Sequence, residues 1–113
     1  MLVRALYGGS PTPQTVTIVP NDSKITSSTL SGTISGSTVT ITGSFTVTSQ
    51  ISVGETIFTV APAPSTAQTI TNAISTTTSA TRNLTVNTDG RVTVADMYMA
   101  SGYGWNTNMT FTL

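Results

Sequence analysis

The sequence predicts an all-β fold: a single-domain antiparallel β-sandwich of jelly-roll-like or Greek-key type. Three features predict it. Apolar residues alternate with threonine and serine at a period of two, as in strands with one face on a core and one in water. Turn-forming Gly, Pro, Asn and Asp residues separate these alternating runs at short intervals. No segment makes a helix: the best candidate, 67–80, carries Thr69, Thr71, Thr76, Thr77 and Thr78, and threonine is a poor helix former.

The elements follow in order. Gln14–Val19 is expected to be a strand with Val16 and Ile18 inward, and Thr29–Ser35 one with Leu30 and Ile34 inward. Ser35-Gly36-Ser37 is tight-turn chemistry. It leads into the clearest strand of the chain, in which Val39, Ile41, Gly43, Phe45 and Val47 share one face and Thr38, Thr40, Thr42, Thr46 and Thr48 the other. Threonine suits an outer face because its branched β-carbon packs on the pleat while its hydroxyl stays hydrated. Strands over 56–60, 68–74, 82–87 and 91–95 come next, with Ala61-Pro62-Ala63-Pro64 as an extended surface crossover, since its prolines cannot donate to a ladder. In Asn87-Thr88-Asp89-Gly90 the glycine is expected to take a left-handed conformation. Met97 and Met99 alternate with Tyr98 and Ala100, so 96–100 is a weaker strand candidate. Gly102-Tyr103-Gly104 reads as a sharp turn carrying an aromatic, and a last strand within 105–113 puts Met109, Phe111 and Leu113 on one face.

Composition narrows the chemistry. Of 113 residues, 26 are threonine and 14 serine, whereas only eight are charged: Arg4, Lys24, Arg82 and Arg91 against Asp22, Glu55, Asp89 and Asp96. Without histidine or cysteine there is no Ser-His-Asp or Cys-His nucleophile and no imidazole or thiolate metal site. Four scattered basic residues cannot neutralise a run of phosphates, so no nucleic-acid partner is expected. No apolar stretch approaches the roughly 18 residues of a membrane-spanning helix, and no membrane partner is expected. A net charge of zero favours association, which would also supply buried area that a small core lacks. The opening run Met1–Tyr7 is too short for a signal peptide and has Arg4 inside it. Residues 1–14 are expected to form an N-terminal arm or attachment segment, and 15–113 the β-sandwich.

From Ser37 onward the chain resembles the receptor-binding head domains of tail-fibre and baseplate proteins of tailed bacteriophages, of the type found in phages of Gram-positive hosts. Four pieces carry the resemblance: the alternating strand from Thr38 running into Thr48-Ser49-Gln50-Ile51-Ser52-Val53-Gly54; the segment Gly54-Glu55-Thr56-Ile57-Phe58-Thr59-Val60 before a proline loop; the hairpin Leu84–Val94 with its Asp-Gly turn; and an aromatic, Trp105, opening a final alternating strand. In the family the proline loop often carries an aromatic and an arginine. Pro62-Ala63-Pro64-Ser65-Thr66 has neither, so the resemblance assigns that loop no ligand role. What the resemblance implies is a compact β-sandwich that forms a homotrimer on the virion surface and takes a host-surface saccharide or wall polymer as ligand. Residues 1–14 would then meet other virion proteins. The alternatives from other classes are a ligand-free structural virion module, such as a capsid decoration or fibre-trimerisation domain, and a carbohydrate-binding or adhesin module of a secreted bacterial protein.

Sugar sites combine an aromatic platform with a carboxylate or amide. Tyr103, Trp105, Asn106 and Asn108 near Asp96 would supply those parts, with Arg91 as a clamp for an anionic group. Weighed against this, a lone tryptophan in a small β domain more often fills the core, and an arginine beside a turn is more often solvated. Asp89 reads as a turn residue whose carboxylate bonds nearby amides. Met97, Met99 and Met109 would offer adaptable packing to a neighbouring subunit. Asn87-x-Asp89-Gly90 resembles the start of a calcium loop, but Tyr98 stands where the bidentate glutamate belongs. No metal, cofactor or catalytic residue is expected. An enzyme would have to work with four carboxylates and no base near neutral pKa.

Overall fold

The computed structural model describes residues 15–26 and 28–113, so the arm expected over 1–14 lies outside the described residues. Nine strands follow one another: β1 (Thr17–Pro20), β2 (Ile25–Thr26), β3 (Ser31–Ser35), β4 (Thr38–Val47), β5 (Thr56–Ala61), β6 (Gln68–Ser75), β7 (Thr81–Val86), β8 (Arg91–Val94) and β9 (Gly104–Thr112). The sandwich takes the form of one continuous antiparallel sheet, ordered β1-β5-β8-β7-β6-β9-β4, with β2 and β3 sharing the far edge of β4. The sheet curls until β1 and β3 face each other across a seam, giving a nearly closed barrel of eight strand positions. At the seam Val16 reaches the edge of β3, where a β-carbon on Gly32 would lie 2.6 Å from Val16 Cγ1. Strands β6, β7 and β8 follow as hairpins and β9 returns beside β6, which is a Greek key.

The period of two drives this closure. Along β4, Val39, Ile41, Phe45 and Val47 are buried and the threonines between them face outward. Its partner β9 alternates in the same phase, with Trp105, Thr107, Met109 and Phe111 inward. Register puts Phe45 beside Trp105, Ile41 beside Met109 and Val39 beside Phe111, so facing rows interlock into one core. On the outside, hydroxyls form cross-strand rungs: Thr40 with Thr110 at 3.4 Å, and Thr69 with Thr85 at 3.0 Å. Burying the apolar rows contributes about 25 cal/mol for each Å² removed from water.

Several boundaries differ from the sequence expectation. β2 is too short to show a period and was not anticipated. Residues 96–100 do not form a strand; one bridge joins Met99 to Ile51, and the segment otherwise belongs to the long β8–β9 connection. The 61–64 crossover bends at Pro62 and buries Pro64 instead of running over the surface. Gly90 does take the left-handed conformation, at φ +87°.

One side chain stands in for a strand. The β6–β9 ladder covers only Ala73–Ser75 against Trp105–Thr107. Further along, where the two strands part, the Gln68 amide donates from Nε2 to Thr112 O at 2.6 Å, and its Oε1 accepts from Thr112 N–H at 2.9 Å. This is the pattern of a backbone pair. Gln68→Glu, which loses the donor and sets an anion against a carbonyl, is expected to lower stability by about 1 kcal/mol or more. Urea unfolding followed by tryptophan fluorescence measures it. An unchanged midpoint would mean that the bridge contributes nothing.

The antiparallel order sorts the connections into two groups. Chain entry to β1 and the end of β9 lie at one end of the barrel, where Leu113 N–H donates to Ser37 O at 2.7 Å. The opposite end carries the connections 21–24, 48–55, 76–80 and 95–103. The first is the chain end of the barrel and the second its loop end.

Candidate functional site

Among the described residues, the loop end collects the large exposed apolar side chains. Val53, Met97 and Tyr98 lie in its loops. Ile74 and Val19 are the penultimate residues of β6 and β1, both of which run into it. Each of these five is roughly half exposed, and the large apolar residues elsewhere in the described barrel are more covered.

The residues singled out from the sequence reach different places. Trp105, proposed as a sugar platform, is 0% exposed, which corrects that role: its ring is core. Trp105 pairs with Ser75 of β6 in register, and its ring meets the Arg82 guanidinium of β7 5.0 Å from its centroid. Tyr103 is half-buried against the core, and its carbonyl accepts from Val47 N–H at 2.9 Å. Asn106 is exposed, but strand alternation turns it away from its neighbour Trp105, so the two cannot line one face. Asn108 likewise faces out, beside Thr42. Asp96 is exposed in the β8–β9 connection, and its carboxylate accepts from Asn83 N–H at 3.0 Å.

Arg91 is tied down. Its Nε donates to Thr56 Oγ1 at 2.7 Å and its Nη2 to Gly54 O at 3.3 Å, strapping β8 to the start of β5. Asp89 accepts from Arg91 N–H at 3.0 Å, the turn role expected for it. Tyr103 and Asp96 are therefore brought to the loop end, Asn106 lies on the outer wall beside it, and Trp105 and Arg91 serve the barrel itself.

Sequence reasoning missed Arg82. The signal was present: Arg82, Leu84 and Val86 share a face by alternation, and a cation in phase with two core residues is unusual. The side chain is half-buried. It donates from Nε to Tyr98 O at 2.9 Å and from Nη1 to Thr81 O at 2.8 Å. Its underside lies on Trp105, so the guanidinium is fixed on three sides at the base of the loop end.

The ion pair Lys24–Glu55, at 3.6 Å, is the only one among the described residues. Glu55 also accepts from Ser52 N–H at 2.8 Å, which folds the 48–55 loop back on itself. That backbone hydrogen bond, helped by Lys24 and opposed by desolvation, holds the Glu55 carboxyl below its ordinary value of 4.5. A depressed folded-state pKa contributes stability above the unfolded value and loses it as pH falls through the folded one. Acidification below about pH 4.5 should therefore destabilise the parent more than Glu55→Gln. Urea midpoints at neutral and acidic pH for both proteins test this, and parallel losses would refute it.

No group of three or more Asp, Glu, His or Cys residues that could hold a metal occurs among the described residues. Compared with known proteins, the chain matches no family model and no curated sequence.

Proposed function

We propose that the chain is a non-enzymatic surface module of a bacteriophage particle, on a tail fibre, baseplate or head fibre. In this reading it works as a homotrimer and meets a host-surface saccharide with its loop end. The observation that carries the reading is the polarity of the barrel. The described chain enters and leaves the barrel at one end, while its exposed aromatic and large apolar side chains gather at the other. The zero net charge supports self-association. The platform role passes from Trp105 to Tyr98, with Asp96 and Tyr103 beside it.

Native mass spectrometry at micromolar concentration should give a trimer, and labelled protein should bind intact host-type cells. Tyr98→Ala should weaken that binding with little change in melting temperature, because Tyr98 is exposed. A persistent monomer, or full binding by the Tyr98 variant, would overturn the reading.

A second reading, a ligand-free structural virion module, is favoured by one observation: of the five residues chosen for a sugar site only Tyr103 and Asp96 reach the loop end, and Trp105, Asn106 and Arg91 go to core, outer wall and strap. The absence of binding to any cell or glycan, together with a stable oligomer, would select it.

A further inference from the structure

We infer that Arg82 is an oxyanion-reading residue, and that the ligand of the loop end carries a phosphate or carboxylate group. The inference rests on the loop end being the recognition face.

The four side-chain carboxylates, Asp22, Glu55, Asp89 and Asp96, all lie among the described residues, and none pairs with Arg82. Asp96, on the neighbouring connection, is bonded to Asn83 N–H instead. Arg82 is nevertheless half-buried, with one ring face of Trp105 and two carbonyls replacing much of its water. Neutral acceptors hold a guanidinium in place but leave its charge uncompensated, and a partly desolvated cation gains more from an anion than a solvated one does.

The geometry is also prepared. Nε and Nη1 are occupied, while Nη2 has no acceptor among the described backbone groups and side chains, which leave out those of Thr71 and Asn72. The planar fork is already oriented, so little side-chain freedom is lost when an oxyanion arrives. Arg91, the arginine that sequence suggested for this task, is likewise bonded through two nitrogens, Nε and Nη2, but it is exposed and no ring among the described residues covers it, so its charge keeps its water.

The test uses nuclear magnetic resonance of the whole chain, following the Arg82 Nε–H and Trp105 Nε1–H signals. The probes are inorganic phosphate, galacturonate and glucose. Phosphate or galacturonate should shift both signals saturably, more weakly as salt rises, and glucose should shift neither; which anion binds more tightly identifies the source of the charge. Arg82→Gln should weaken anion binding by about tenfold or more, whereas Arg91→Gln should leave it unchanged. Equal shifts with glucose, no shift with either anion, or parental affinity in a folded Arg82→Gln protein would overturn the inference. If that variant does not fold, the parent titration decides alone. Cell binding that survives both high salt and Arg82→Gln would sink Arg82 while leaving the recognition face. Anion binding by a protein that binds no cells would sink the recognition face and leave the Arg82 site.

Discussion

Gly43→Ala is expected to destabilise the barrel by roughly 3 kcal/mol or more, from backbone strain and overpacking together. Gly43 sits at φ +138°, a region that residues with a β-carbon rarely enter. The added carbon would also lie 2.6 Å from Thr29 O and 2.7 Å from Leu30 Cα, and both atoms are backbone. That backbone has little room to retreat. Between β2 and β3 the chain hugs β4 here, with Thr29 N–H donating to Ser44 O at 2.9 Å and Ser44 N–H donating to Thr29 Oγ1 at 3.0 Å. Gly43 thus lies where the edge partner of β4 changes from β2 to β3. Urea unfolding should show a lower midpoint. A Gly36→Ala control should cost less: Gly36 is also left-handed, at φ +61°, but its β-carbon would meet nothing within 4 Å. Equal losses in the two variants would show that the close approach is not the cause.

Trp105→Ala should cost about 3–5 kcal/mol, the range for removing a large aromatic from a packed core. The ring is fully buried between Phe45 and Ser75 in register and supports Arg82 from below. Its removal opens a cavity and frees the guanidinium. Loss of cell binding in this variant would therefore reflect a disordered loop end, which separates it from Tyr98→Ala. Trp105→Phe keeps an aromatic face and should lose less. Thermal and urea unfolding of both variants measure the difference, and a Trp105→Ala protein as stable as its parent would contradict the core assignment. In the parent, acrylamide should quench the tryptophan emission poorly.

Much of the fold was legible because each long strand keeps its period. β4 and β9 could be placed almost to the residue, since apolar residues recur inward at nearly every second position, interrupted only by Gly43 and Thr107. The hairpin turns were legible for a related reason: few residues besides Gly, Asn and Asp accept their backbone angles. What stayed hidden depends on distant contacts. β2 consists of two residues, Ile25 and Thr26, held against Val47 and Thr46, and two residues carry no period. The 96–100 segment alternates like a strand but finds one bridging partner, Ile51. The candidate site was the least legible part. A tryptophan directly after Gly-Tyr-Gly gives no sign of whether it belongs to the loop or to the strand; with β9 starting at Gly104, Trp105 falls in phase with Met109 and Phe111 and turns inward. Arg82 was overlooked because its partners, Tyr98 O and the Trp105 ring, lie 16 and 23 positions along the chain.

The place of β9 in the sheet has a consequence for how the molecule is made. This strand sits between β4 and β6, and its first partner, Thr38, pairs with Thr112 across most of the chain. During synthesis β4 and the β6–β8 meander emerge well before the strand that joins them, so each offers a bare edge until β9 has been made. Pairing over such distances is slow. Neighbouring nascent copies could capture one another's edges in that interval, so the same late strand that completes each barrel is also the natural point of exchange between them.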